Sequence, residues 1–197
     1  RKLFTASRAG RDTRHSGPHF RLESTRLWTM PQVPPPIYVA TAGPHTARRA
    51  GRVADGLITT AAAPERLDQL LARFAEGARE AGRDVATMPK VVQLRLSWAD
   101  SDEQALRSAV AEWPMAGMRF SRSETRSPFE FEQLARYVGA DDVAAGMVVS
   151  SDPDVHRAEI QRYADLGFDR IYLHKVGQDQ KEWIDVFGRD VIPKIRR

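Results

Sequence analysis

The sequence predicts an α/β protein built on a parallel sheet, and three observations carry that expectation. Short, apolar, β-branched segments alternate with amphipathic helical ones along most of the 197 residues. The apolar segments show no polar alternation, as expected of strands buried on both faces of a parallel sheet. Prolines, serines and glycines fall between them where helices should start and stop. Four main β/α units, with an insertion before the last, amount to half of an eight-unit barrel. Periodicity by itself leaves a doubly wound sheet equally open.

Residues 1–30 carry little hydrophobic periodicity and read as a basic connector, apart from a strand-like His19-Phe20-Arg21-Leu22. The body of the protein is expected over 31–197. Prolines at 31, 34, 35 and 36 exclude a helix, because proline lacks the backbone donor and biases the preceding residue to extended geometry. A strand over 37–41 follows, ended by Gly43-Pro44, then a helix over 46–53 and a strand over 57–60. The clearest helix is 64–81, with Leu67, Leu70, Leu71, Phe74 and Ala78 on one stripe and Gly82 as its stop. A strand over 91–98 leads to a helix opened by Ser101-Asp102-Glu103, with acids at its positive end.

The pattern then fails over about 114–127, an excursion loop of the length that often serves function. Short helices over 128–137 and 140–145 and a brief strand at 147–149 come next. Asp152-Pro153 reads as an N-cap and first helical residue for a helix to about 166, stopped by Gly167. A last strand over 170–174 precedes a terminal helix with Trp183, Ile184, Phe187 and Ile192.

A hydrophobic fraction of 42% supports a real core, and no run approaches the length of a membrane span. The arginine-rich start has no apolar stretch of the secretory kind, so the cytoplasm is the expected setting. The absence of cysteine excludes disulfides, thiolate metal sites and cysteine nucleophiles. The net charge of +4 rests on 30 basic residues that, beyond the first 26 positions, are interspersed with acids. No nucleic-acid face is therefore expected. The chain begins at Arg1, so an upstream part is expected to exist. A half-barrel alone would leave open strand edges, which makes pairing with a missing half or homo-oligomerisation the expected remedy.

Two blocks carry a family likeness. One is Pro36-Ile37-Tyr38-Val39-Ala40-Thr41-Ala42-Gly43-Pro44 with Ala50-Gly51-Arg52-Val53-Ala54-Asp55-Gly56-Leu57-Ile58-Thr59-Thr60; the other is Ser150-Ser151-Asp152-Pro153 with Gly167-Phe168-Asp169 and Ile171-Tyr172-Leu173-His174-Lys175-Val176-Gly177-Gln178-Asp179-Gln180. Together they resemble the luciferase-like monooxygenase superfamily, in the branch of deazaflavin-dependent sugar-phosphate dehydrogenases. The likeness runs from about His15 onward and implies the C-terminal half of a TIM barrel, with its site at the C-terminal strand ends.

The resemblance implies coenzyme F420 or FMN as cofactor and a small-molecule substrate, while the lack of long apolar runs leaves no membrane partner expected. The family's proton- and hydride-handling histidine and glutamate lie in segments this sequence does not match, so no catalytic residue is assigned and the chain alone is expected to be inactive. A cofactor cradle is implied at Ala42, Gly43, Pro44 and His45, where a glycine and a helix start admit a polar or anionic tail. Thr60, Arg122 and His174 are the implied substrate residues. The branch's three phosphate-holding basic positions fall on Ala63, Arg122 and Gly146; two are not basic, so a sugar phosphate fits poorly.

Plainer readings stand beside these. Gly43 would also serve where a positive φ is needed, and His174 or Thr60 would suit a strand end without touching a ligand. His15 and His19 have helical metal-ligand spacing, but Gly17-Pro18 breaks that helix and no metal site is expected. Arg119, Arg122 and Arg126 fit a solvated loop; Trp98, Trp113 and Trp183 fit packing; Glu130, Glu132, Asp141 and Asp142 fit solvent-facing acids.

Overall fold

The computed structural model describes residues 1–119 and 125–196. They form two compact units, Arg1–Ile37 and Tyr38–Arg197. In the first, helix α1 (Lys2–Arg8) precedes an antiparallel hairpin of β1 (Thr13–Ser16) and β2 (Arg21–Thr25). The strand-like segment 19–22 of the sequence overlaps the start of β2, whereas β1 was not anticipated, being polar and mostly exposed with no apolar alternation to detect. Polar contacts hold the unit: the Leu27 N–H donates to Ser7 Oγ at 2.9 Å, and Arg26 to the Gly10 carbonyl at 2.7 Å.

The second unit is the expected α/β layer structure. Strands β3 (Tyr38–Ala40), β4 (Gly56–Thr60), β5 (Lys90–Ser97), β6 (Val148–Val149) and β7 (Arg170–Lys175) form one sheet, and every pairing in it is parallel. Strand β5 is its centre. It pairs with β4 from Leu57↔Lys90 to Thr60↔Gln93, and with β7 from Val91↔Arg170 to Leu96↔Lys175. The carbonyls of Gln93 and Ser97, an even number of residues apart and so on the same edge, accept from the N–H groups of Ala61 (2.9 Å) and Ser150 (3.2 Å). The short strand β6 therefore takes over the β4 edge of β5 after β4 has ended.

Between the strands lie α2 (Pro44–Val53), α3 (Pro64–Glu80), α4 (Asp102–Glu112), α5 (Pro128–Ala135), α6 (Ala140–Gly146), α7 (Pro153–Asp165) and α8 (Gln180–Val186). The expected single terminal helix is interrupted: α8 widens into a π turn over Phe187–Val191 and tightens into a 3₁₀ turn over Ile192–Lys194. Gly188 and Pro193 account for this, the first a weak helix former and the second without an N–H. Gly82 and Gly167, at φ of 64° and 91°, close α3 and α7 as anticipated.

Two cores hold the unit. Val92, Leu94 and Leu96 of β5 pack with Ile160 and Tyr163 of α7, Phe168, Phe187 and Val191. A second cluster joins Leu57 to Ala47, Ala50, Leu70, Phe74 and Ala78 across α2 and α3. Each large apolar side chain so buried contributes about 1.5–3 kcal/mol. The α2–α3 crossing is closer than side chains normally permit. A Cβ at Gly77 would overlap the Arg48 carbonyl, and one at Gly51 would overlap the Phe74 carbonyl. Arg83 seals the end of α2 by donating to the Gly51 carbonyl at 3.0 Å and to that of Ala54.

Gly77→Ala should therefore destabilise although alanine is the better helix former. Propensity alone favours it by about 1 kcal/mol, so a net loss of about 1–3 kcal/mol in urea unfolding would report the backbone overlap. Gly188→Ala, which meets nothing within 4 Å, should lose no stability.

Candidate functional site

Successive side chains of a strand face opposite ways, so register decides what reaches each face. On β5, Val92, Leu94 and Leu96 face the helices and the core. Gln93 and Arg95 must face the other way, where Thr60 is the partner of Gln93 on one side and Tyr172 on the other, and His174 is the partner of Arg95. Thr60 and His174 thus share one face near the C-terminal ends of the strands. That face is open among the described residues, with Tyr172 48% exposed.

The turn after β3 lies at the same ends. Gly43 is the N-cap of α2, its N–H held by Thr41 Oγ1 at 3.0 Å. Its φ is −109°, so a left-handed conformation does not explain the glycine. Nor does packing, since a Cβ there would meet nothing nearer than Thr41 Oγ1 at 3.9 Å. Pro44 follows at N1, and the first turn of α2 carries no acidic side chain and no side-chain cap. His45 and Thr46 lie in this first turn, where backbone N–H groups have no intrahelical acceptor. Such a helix start, with a glycine that leaves room for close approach, fits a polar or anionic group.

Past β7 the chain is locked. The ammonium of Lys175, buried against solvent, pairs with Asp179. Gly177 has a φ of 109° and passes so near that a Cβ would lie 2.8 Å from Lys175 Nζ. Gln180 Nε2 donates to the Gly177 carbonyl at 2.7 Å. Beside this loop, Trp113 meets His174 edge-on with ring centroids 4.9 Å apart, and the Arg95 guanidinium lies 5.5 Å from the Trp113 ring centre. His174 Nδ1 is buried with no hydrogen-bond partner among the described residues.

A groove of about 810 Å³ opens where β4 ends and β6 takes over its edge. Its walls are residues 61–64, Leu94 and Arg95 of β5, residues 145–148, and one side of α7 from Val155 to Tyr163. Behind it sits a polar knot. Asp102 accepts from the Ser151 N–H at 2.5 Å and from Ser151 Oγ at 2.8 Å, while Trp98 Nε1 donates to the Ser151 carbonyl at 2.9 Å. His156 Nε2 lies 2.9 Å from the Ser150 carbonyl, which requires its proton to be on that nitrogen. Nδ1 is then an acceptor without a partner among the described residues, near the Phe187 ring. Burial therefore holds the His156 pKa below its ordinary value, and the bonds from Ser151 hold Asp102 below its own.

Comparison with known proteins places this architecture. Residues 1–170 match the luciferase-like monooxygenase family. The chain belongs to that family. It is 32% identical over 198 residues to F420-dependent glucose-6-phosphate dehydrogenase 2 of Rhodococcus jostii strain RHA1, covering 100% of this chain and 58% of the relative. Among solved structures it is similar to an F420-dependent secondary alcohol dehydrogenase in complex with an F420-acetone adduct, with 28% identity, a TM-score of 0.82, and coverage of 98% of this chain and 58% of that one. The fold alone is shared with the oxygenating constituent of 3,6-diketocamphane monooxygenase from Pseudomonas putida, in complex with FMN, at 16% identity and a TM-score of 0.60, covering 99% of this chain and 60% of that one. The luciferase-like chain thus spans a little under 60% of the length of the relative and of the secondary alcohol dehydrogenase.

Ala42, Gly43, Pro44 and His45 lie at the end of β3, Thr60 at the end of β4 and His174 near the end of β7, so the sheet brings them to one end. None of them lines the groove. Arg122 lies outside the described residues. Two side chains were missed: Arg95, which lines the groove and is register partner of His174, and Trp113, which covers His174 rather than only packing a helix. The signal for Arg95 was present, because Gln93 and Arg95 alternate with Val92, Leu94 and Leu96 and mark a polar strand face. The acids read as solvent-facing serve local structure: Asp142 pairs with Arg119 at 2.6 Å, and Glu130 accepts the Arg126 N–H at 2.8 Å. Among the described residues no cluster of histidine and carboxylates is placed to hold a metal, and no helix is long and apolar enough to cross a membrane.

The knot predicts acid sensitivity. A depressed folded pKa gives stability that is complete above the unfolded value and is lost as pH falls through the folded one. For His156 the loss begins below its ordinary value of 6.5, and for Asp102 below 3.8. Urea midpoints should fall between pH 7 and 5, and His156→Gln should flatten that slope; an unchanged slope would remove His156 as its source.

Proposed function

We propose that this chain is the cofactor- and substrate-binding half of a luciferase-like oxidoreductase that uses coenzyme F420 or FMN on a small organic substrate. The observation that carries this reading is the turn from Thr41 to His45, where Gly43 has no internal reason to be glycine and an uncompensated helix start lies beside it. Family membership adds support, as do the F420-dependent relatives and the FMN-bound fold neighbour. The backbone of Ala42 and Gly43, the first turn of α2 and the exposed His45 would hold the cofactor's polar tail. Thr60 and His174 would face the substrate from neighbouring positions of the sheet. When bound, the cofactor supplies the redox chemistry, hydride exchange or, for FMN, oxygen activation. The chain's own groups bind, orient and shield it, and none is assigned a proton-transfer role.

Fluorescence titration of the purified chain with oxidised FMN and, separately, oxidised F420 tests this. Saturable binding of one is expected, and Gly43→Val should weaken it at least tenfold, about 1.4 kcal/mol, while unfolding remains cooperative. Binding of neither removes the reading for this chain by itself.

A second reading is favoured by Tyr172, a large side chain 48% exposed on the site face of the sheet. The chain would then pair with another half-barrel or with a second copy to cover that face. Light scattering should report a dimer or larger species; a soluble monomer that unfolds cooperatively counts against obligatory pairing.

A further inference from the structure

The first unit concentrates the charge of the protein. Residues 1–37 carry seven arginines and lysines against two acids, a net +5, whereas residues 38–197 carry 23 against 24. Both acids of the unit already hold an arginine: Asp12 lies 3.7 Å from Arg26 and accepts from Ser24 Oγ, and Glu23 lies 3.2 Å from Arg21. The hairpin gathers cations that these acids do not serve. Its turn is closed by the Gly17 N–H on the Phe20 carbonyl at 2.9 Å, and the register passes from His15↔Leu22 to Thr13↔Thr25, so that Glu23 and Ser24 together oppose Arg14. Such a bulge increases the local twist and re-aims the side chains around it. Lys2 of α1 is tied to the same place, its ammonium donating to the Arg14 carbonyl at 2.9 Å. The result is a hollow of about 610 Å³, where Lys2, Arg14, His15 and Arg21 share the lining with a single acid, Glu23. Ser16 and Ser24 add hydroxyl donors to it.

We propose that this hollow is an anion site for a short phosphate chain, a di- or triphosphate, either free or as the tail of a nucleotide. Its cations are exposed, and an exposed ion pair contributes little, so a singly charged ligand would not be held. A chain of two or three phosphates meets several cations at once, and each guanidinium offers it paired N–H donors. Glu23 sets the balance. While it holds Arg21 it lowers the positive potential of the hollow, and the ligand competes with it for that guanidinium. The hollow shares no residue with the turn at Ala42 to His45 or with the groove beside β4, and its preference for phosphate does not depend on the oxidoreductase reading.

Histidine ring NMR of the full chain provides the test, because His15 lines the hollow, His45 sits in the first turn of α2, and His156 is buried as an internal control. The probes are inorganic tripolyphosphate, ATP and single-stranded oligothymidylate, each titrated separately. Saturable movement of the His15 signal with tripolyphosphate is expected, weakening as salt rises, with His156 unmoved. An equal response to ATP names nucleotides as a source of the chain, and a response to tripolyphosphate alone names the free chain; either upholds the site. Arg14→Gln should weaken binding at least about threefold, and Glu23→Gln should tighten it at least about twofold, a gain that loss of structure would not produce. Arg107→Gln removes one exposed charge from α4, the same change in net charge as Arg14→Gln, and should leave the His15 response as it is. The proposal is overturned by a His15 signal that does not move, by movement of His45 alone, by a response to oligothymidylate without one to tripolyphosphate, or by a Glu23→Gln chain that binds more weakly.

Discussion

The register of β5 against its neighbours is the constraint on which the rest of this molecule depends. A parallel strand slipped by one residue would exchange its faces, sending Arg95 into the cluster of Tyr163, Phe168 and Phe187 and turning Leu94 and Leu96 to the open side. Burying an unpaired guanidinium there would cost far more than any single apolar contact contributes. A polar clamp reinforces the same register from the other end. The Asp169 carboxylate accepts the Lys90 N–H at 2.8 Å and pairs with the Lys90 ammonium at 2.8 Å, while the Asp169 N–H donates to the Lys90 carbonyl. The contacts that stabilise the sheet are thus the ones that bring Thr60, Gln93, Arg95 and His174 to one face.

Local pattern revealed those parts of the fold that local chemistry determines. Ranges of helices and strands in the second unit were legible because each is a periodic apolar run bounded by Gly, Pro, Ser or Asp, and Asp152 caps α7 by accepting the Asp154 N–H at 2.8 Å as its sequence context implied. The candidate cradle at Ala42 to His45 came from family likeness alone, and the ordinary φ of Gly43 excludes one competing explanation for that glycine. What stayed hidden is relational. Nothing in Gly51 or Gly77 announces that two helix backbones touch, and the Lys175–Asp179 pair looks like any i,i+4 pair until its burial is known. The first hairpin was legible only at 19–22, over the start of β2, because its strands bury almost nothing that periodicity could register.

Charge separates the two ends of the candidate site. At α2 the first turn lacks an acid, so the helix dipole is left available beside Gly43. At α3, one β/α unit later, Pro64 and Glu65 cancel the same feature. Two helix starts of similar position in the fold therefore differ in charge, the first leaving its positive end uncompensated and the second meeting it with an acid. This division suits a protein in which a cofactor carries the redox chemistry and the polypeptide supplies orientation and local electrostatics.

The groove itself has a simple geometric origin. Strand β5 is eight residues long and β4 only five, so the edge that β4 occupies becomes vacant after Gln93. Unpaired backbone groups at that depth would be costly, and the chain leaving β6 satisfies the Ser97 carbonyl with the Ser150 N–H, but only after it has crossed from α6. Between the end of β4 and the arrival of β6 the edge stays open, and the groove is that interval. The chain that leaves β6 is held by Asp102, Trp98 and His156, which bond to Ser150 and Ser151 at the head of α7. Contacts at the head of α7, some of them buried and some at the surface, thereby hold the strand whose arrival ends the open interval.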